Sequence, residues 1–273
     1  MSGKLYVVGT PIGNLGDFSP RAVEVLSSVD FIAAEDTRVT LKLLNHFGIK
    51  KEMVSYFEHN KRQRGEIICQ RIQCGETCAI VTDAGMPAIS DPGEDLVALC
   101  REWGIDVEAV PGPTAFATAL AVSGMPSGRF TFEGFLSVSK KSRREHLEEL
   151  KDEKRTIILY EAPHKLVNTL NDLFNTLGDR RIALVRELTK LHEEVIRTTL
   201  SDAVHLYDEK SPKGEFVLVI DGKADEAQSQ ITLEQAVDEA KKLVDKGMSV
   251  SAAAKEIAAK SPFKKGDIYK ELI

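Results

Sequence analysis

Short apolar runs and longer amphipathic stretches alternate from the fifth residue of the chain. Residues 5–8, 31–34, 53–56, 79–82 and 107–110 have the length and side chains of strands. Between the first two, Ser19-Pro20 reads as an N-cap followed by proline at the first helical position, opening a helix over 21–28. Residues 61–73 and 93–103 repeat their apolar positions with the helical period. Apolar strands alternating with polar-faced helices predict a parallel sheet covered on both faces. The first half therefore reads as an open α/β domain over 1–122.

After Gly124-Met125-Pro126-Ser127-Gly128 the pattern changes. Strands are expected at 130–132, 156–160, 182–186, 194–198 and 216–220, the last three close enough in sequence to lie antiparallel. This predicts a second α/β domain over 123–224 with a mixed sheet. Between its first two strands stands the basic run Lys140-Lys141-Ser142-Arg143-Arg144, followed by a charged helix to Arg155. The stretch 221–230 is polar and poor in large apolar groups, as a linker is. Beyond it Thr232 is expected to cap a helix to Lys246. A turn at Gly247-Met248-Ser249 then leads into 250–259, and Pro262 precedes a last helix over 264–272. The tail, 228–273, reads as a helix-turn-helix unit. Its lysines at 241, 242, 246, 255, 260, 264, 265 and 270 are balanced by acids at 226, 234, 238, 239, 245, 256, 267 and 271, so it suits packing as well as nucleic-acid contact.

Charge and composition narrow the picture. The 273 residues carry a net charge of −6, and 42% hydrophobic with 29% charged residues is an ordinary globular balance. An acidic total excludes charge-driven nucleic-acid binding by the whole surface, so any RNA affinity must come from a local basic patch. No apolar run approaches the ~20 residues that span a bilayer, and the start of the chain lacks the layout of a signal peptide, so a cytoplasmic protein is expected. Cys69, Cys74, Cys78 and Cys100 match no paired zinc spacing; they read as small buried hydrophobes, with no metal and no disulfide.

The chemistry gathers at strand ends. Gly9-Thr10-Pro11-Ile12-Gly13-Asn14-Leu15-Gly16-Asp17 follows the first strand, but its glycine spacing fits neither the dinucleotide fingerprint nor the phosphate loop. Pro11 also removes an N–H that a phosphate cradle would use. Thr82-Asp83-Ala84-Gly85-Met86-Pro87-Ala88-Ile89-Ser90-Asp91-Pro92-Gly93 follows the fourth strand, and Val110-Pro111-Gly112-Pro113-Thr114-Ala115 the fifth. Small residues at three strand ends let a flat ligand approach the main chain. A second, charged group ends other strands: Ala34-Glu35-Asp36-Thr37-Arg38, Ser55-Tyr56-Phe57-Glu58-His59-Asn60, Tyr160-Glu161-Ala162-Pro163-His164-Lys165 and the run from Arg186 to Glu194. Singly each suits a helix start or an ion pair; together they suggest a polar cleft between two domains with an acid or histidine able to act as general base.

Residues 5–15, Ala34–Arg38, Thr82–Pro87, Asp91-Pro92-Gly93, Val110–Pro113 and Arg186–Lys190 together resemble the ribosomal RNA small subunit methyltransferase I family of the tetrapyrrole methylase superfamily. The resemblance runs from about residue 4 to 222, and the tail is similar to that family's C-terminal helix-turn-helix domain. It implies a homodimer of two α/β domains with S-adenosyl-L-methionine in the cleft between them. The implied reaction is methylation of the ribose 2′-hydroxyl of a cytidine in the decoding region of small-subunit (16S) rRNA, free or in the assembled small ribosomal subunit. The implied cofactor contacts are Pro11, Asp83, Ala84, Gly85, Ala88, Thr114 and Ala115. Glu35, Asp36, His59, Glu187 and Lys190 are all candidates for the base, and motif membership does not choose among them. Tetrapyrrole-modifying relatives commonly carry Gly-Gly-Asp-Pro at the fourth-strand loop; Asp83-Ala84-Gly85-Met86-Pro87 departs from that and fits the RNA branch.

Two other functions compete. One is a methylase of a tetrapyrrole or other small molecule using the same cleft. The other is a ligand-sensing DNA-binding regulator whose reader is the tail. If the chain acts on rRNA, the densest basic run, Lys140, Lys141, Arg143 and Arg144, is the expected grip.

Overall fold

The computed structural model describes residues 3–208, 210–224, 233–261 and 263–272. The chain divides into two compact units, Met1–Gly222 and Lys223–Ile273.

The first unit contains two five-stranded sheets. In the first, β1 (Lys4–Val8), β2 (Phe31–Ala34), β3 (Glu52–Ser55), β4 (Cys78–Val81) and β5 (Asp106–Val110) lie in the order β3-β2-β4-β1-β5, all parallel. α1 (Pro20–Ser28), α2 (Thr37–His46), α3 (Lys61–Gln73) and α4 (Gly93–Glu102) connect them. Apolar clusters lie on both faces, one centred on Leu5, Ile68 and Leu96, the other on Leu26, Ile32 and Leu44. That double cover is why β2 and β4 read as unbroken apolar runs. Ser19 caps α1 as expected, its hydroxyl accepting from the Ala22 N–H at 3.1 Å.

α5 (Ala115–Ser123) leads into the second sheet, which is mixed. Its strands β6 (Phe130–Phe135), β7 (Thr156–Glu161), β8 (Arg181–Arg186), β9 (Glu194–Thr199) and β10 (Phe216–Ile220) run in the order β6-β7-β10-β8-β9. Only β6 and β7 are parallel. α6 (Lys140–Leu150) and α7 (Pro163–Leu177) pack with α8 (Leu200–Asp208) on one face of it. The charged helix after the basic run ends at Leu150 rather than Arg155: the chain turns, and Arg155 pairs with Glu153 at 2.6 Å.

The second unit is three helices, α9 (Leu233–Asp245), α10 (Val250–Lys260) and α11 (Lys265–Leu272), closed on Ala236, Ala240, Ala253, Ala254, Ile257 and Ile268. Small alanines let α9 and α10 approach closely, and Ser249 caps α10. Thr232, Pro262 and residues 225–230 of the expected linker lie outside the described residues. The first two linker residues belong to the first unit, since Asp221 accepts from Arg181 Nε at 2.5 Å and a Cβ on Gly222 would strike Lys154 O. Cysteine burial holds for Cys69, Cys78 and Cys100 but not for Cys74, which is exposed at the end of α3.

Candidate functional site

Strand order builds the site. β4, β1 and β5 are neighbours, so the three Gly/Pro loops that follow them emerge side by side at the carboxyl edge. Thr10 and Gly85 tie two of these loops together: Thr10 N–H donates to Gly85 O at 2.9 Å and Gly85 N–H to Thr10 O at 3.2 Å. The Thr10 hydroxyl adds a bond to Thr82 O at 3.1 Å. On the other side the Gly9 N–H donates to Val110 O at 3.1 Å. Within the long loop, Ala88 and Ser90 have left-handed φ of 68° and 64°, which side-chain-bearing residues adopt only under constraint. The constraint is the Asp91 carboxylate, which accepts the N–H groups of Ala88 (3.0 Å), Ile89 (3.1 Å) and Gly93 (2.8 Å).

These loops and the facing ends of β7 and β10 enclose a cavity of about 510 Å³, a size suited to a cofactor. Asp83, Ala84, Gly85, Thr114 and Ala115 line it, as do Ile12, Met86 and Ile89. Phe135, Tyr160, Val185, Leu188 and Val217 close it from the second sheet. Pro11 lines a neighbouring cavity of about 260 Å³. Ala88 lines neither; its N–H is held by Asp91.

The lining of the larger cavity is acidic. Glu35, Asp83, Asp91, Glu161 and Glu215 face it, and among the described residues no lysine, arginine or histidine does. Glu35 Oε2 accepts from the Thr82 hydroxyl at 2.6 Å, and Asp83 Oδ1 accepts from the Asp36 N–H at 3.1 Å. Burial, and after it the Glu35 charge, pushes the Asp83 carboxyl above its ordinary range. Burial also raises Asp91, outweighing its three N–H donors. Tyr160, raised by burial, accepts the Phe116 N–H at 3.1 Å.

Of the five base candidates, only Glu35 lines this cavity. Asp36 caps α2 and is gripped by the Arg38 side chain and N–H, which hold it at about 2. His59 follows β3, the outermost strand, and is separated from β4 by β2. Glu187 and Lys190 pair with each other at 2.8 Å, and Lys190 also reaches Glu215 at 2.8 Å. Lys190 lowers Glu187; burial works against the Lys190 charge, but the two carboxylates outweigh it and raise that ammonium.

Glu161, part of the charged strand-end run 160–165 but not among the base candidates, is only 4% exposed at the end of β7. Its carboxylate accepts the Ala162 N–H at 2.8 Å and the Thr169 hydroxyl. Thr169 in turn accepts from Arg143 Nη2 at 2.8 Å. Arg143 is thus set inward, with Nε 2.7 Å from Asp172, whereas Lys140, Lys141 and Arg144 are exposed in the first turn of α6. The available signal was a single carboxylate at a strand end, two residues before Pro163, the first residue of α7. Among the described residues no His, Cys, Asp or Glu group is arranged to hold a metal ion, and none of their helices is long and apolar enough to cross a membrane.

Residues 4–204 match the family described as Tetrapyrrole (Corrin/Porphyrin) Methylases, and the chain belongs to it. Solved structures agree in fold. A uroporphyrin-III-C-methyltransferase from Thermus thermophilus superposes with a TM-score of 0.57 at 22% identity, over 80% of this chain and 94% of that one. A Thermus thermophilus uroporphyrin-III C-methyl transferase complexed with S-adenyl homocysteine gives 0.58 at 16%, over 80% and 97%. Within that class the chain belongs with the ribosomal RNA small subunit methyltransferase I proteins. It is 48% identical to the one from Synechocystis sp. over 98% of this chain and 96% of that protein. The Halalkalibacterium halodurans protein is 46% identical over 98% and 93%.

Proposed function

We propose that this protein transfers a methyl group from S-adenosyl-L-methionine to the ribose 2′-oxygen of a cytidine in the decoding region of small-subunit rRNA. One observation carries the reading: a cavity at the carboxyl edge of β4, β1 and β5, walled by small residues and by five carboxylates, of which, among the described residues, only Glu215 is paired with a cation, Lys190, outside the lining. The methyl donor bears a sulfonium and an ammonium, and a wall of this charge suits it. The names of the relatives, at 46–48% identity over nearly the whole chain, point to rRNA rather than a porphyrinoid.

When bound, the donor supplies a methyl group already activated by the sulfonium. The chain then has two tasks. Backbone at Asp83–Gly85 and at Thr114-Ala115 orients the ligand; holding two reactants in line is worth roughly 7–11 kcal/mol of barrier. Ile89 and Phe135 give the mouth of the cavity apolar edges. Glu35 and Asp83, joined through Thr82 and the Asp83 N–H, hold carboxylates able to take up the hydroxyl proton; the Glu35 charge beside Asp83 increases its proton affinity.

In the same reading 1–122 and 123–224 act as two α/β domains that share the cofactor, and 228–273 is an appended helical domain. The protein acts as a cytoplasmic homodimer, Lys140, Lys141 and Arg144 contribute to RNA affinity with the inward Arg143 anchoring their helix, and no metal takes part. Nucleoside mass spectrometry of 16S rRNA from a deletion strain tests the function: 2′-O-methylcytidine should fall and return on complementation. Unchanged rRNA nucleosides would turn the assignment toward a small-molecule substrate.

A further inference from the structure

The two cavities differ in charge and share a wall. Thr82 and Asp83 line both. The larger holds carboxylates and no cation. The smaller, about 260 Å³, is bounded by Pro11, Leu15 and Val39 and carries Lys42. Lys42 lies on α2, four residues after Arg38, so the two cations share one helix face. Arg38 is committed to Asp36 at 2.6 Å, whereas Lys42 makes no ion pair among the described residues. Leu15 is 43% and Val39 38% exposed, leaving apolar lips on this cavity.

We infer that the smaller cavity receives the nucleotide to be modified, its sugar and base between Leu15 and Val39 and a flanking phosphate on Lys42. The inference rests on the function proposed above and adds where the RNA enters. An acid-walled chamber repels phosphate, so RNA cannot share the donor's entrance without a large electrostatic penalty. The partly apolar chamber with a free ammonium accepts a sugar-base unit and an anion together. Its volume, about 260 Å³, suits a sugar and base with the phosphate outside on Lys42. The partition then explains why Asp83 is shared: a hydroxyl arriving from the smaller side meets its carboxylate before the donor chamber.

Two variants test this, each compared with wild type for fold by circular dichroism. V39W fills the smaller cavity from an exposed helix position; K42E reverses its cation without adding bulk. Donor affinity is measured by calorimetry with S-adenosylmethionine, and affinity for isolated small ribosomal subunits by a salt titration without donor. Both variants should bind donor within about twofold of wild type and bind subunits roughly tenfold more weakly. K42E should also reduce the salt slope by about 0.7–0.9. Wild-type subunit affinity in either folded variant overturns the inference, as does loss of donor affinity, which would make the smaller cavity part of the donor site. If wild type binds donor but neither binds nor methylates small subunits, the proposed function itself fails and the inference falls with it.

Discussion

Gly9 and Gly112 meet backbone to backbone: a Cβ on Gly9 would stand 2.7 Å from the Gly112 Cα, and one on Gly112 2.8 Å from the Gly9 Cα. The contact locks the loop after β1 against the loop after β5. Neither glycine has a left-handed φ, so close approach alone excludes a side chain here. Gly9→Ala and Gly112→Ala should each lower stability by roughly 1–3 kcal/mol, the usual cost of overpacking. Denaturant melts and donor calorimetry on both variants check this; melts matching wild type would mean the loops are free to part.

The proposed donor chamber is better tested at Ala84 than at Gly85. Gly85 has φ of +91°, so any side chain there strains the turn whatever the space. Ala84 lines the cavity without that constraint. Ala84→Trp should leave the melting temperature near wild type and weaken S-adenosylmethionine binding at least about tenfold. Retained affinity in the folded variant would move the donor elsewhere.

Arg143 has a structural duty that its neighbours lack. Its side chain is 17% exposed and bonds Asp172 and Thr169, the latter supporting Glu161. Arg143→Ala should cost roughly 1.5–3 kcal/mol, as loss of charged hydrogen bonds does. Lys140→Ala, Lys141→Ala and Arg144→Ala should stay within about 0.5 kcal/mol. An RNA-binding test of the basic run therefore needs the triple variant that keeps Arg143. Equal melts for all four would deny the inward role of Arg143.

Asp36 gives a pH signature. Its carboxyl is held at about 2, against an ordinary 3.8, chiefly by the Arg38 side chain. A lowered folded-state value means that its contribution is complete above the ordinary value and disappears as pH falls toward about 2. The stability gap between wild type and Asp36→Asn should thus be constant near neutrality and close between pH 3.8 and 2. A gap that persisted unchanged at the acid end would contradict the Arg38 pairing.

The sheet strands were legible because β2, β4, β7 and β10 are buried along nearly their whole length and read as apolar runs. The three small-residue loops were legible for a related reason: glycine and proline mark the turns that carry them. The larger cavity was half visible, since Asp83–Gly85 and Thr114-Ala115 stand in such loops. The buried setting of Glu161, and Lys42 altogether, were not. Glu161 acquires its setting from Thr169, a full two turns into α7, and Lys42 lies mid-helix, where a lone lysine reads as solvated surface. His59 lies apart from the larger cavity for a different reason. It ends a strand like the others, but strand order, which local pattern does not reveal, puts that strand at the sheet's far edge.

Purified protein, isolated small ribosomal subunits and methyl-labelled S-adenosylmethionine test the central claim most directly. After reaction, the rRNA is digested to nucleosides and the label located by mass spectrometry. The account predicts one labelled product, 2′-O-methylcytidine, from the decoding region, and much less of it from Ala84→Trp at donor concentrations below the wild-type Kd. Label on a base, label in another nucleoside, or transfer only to a small molecule would contradict it.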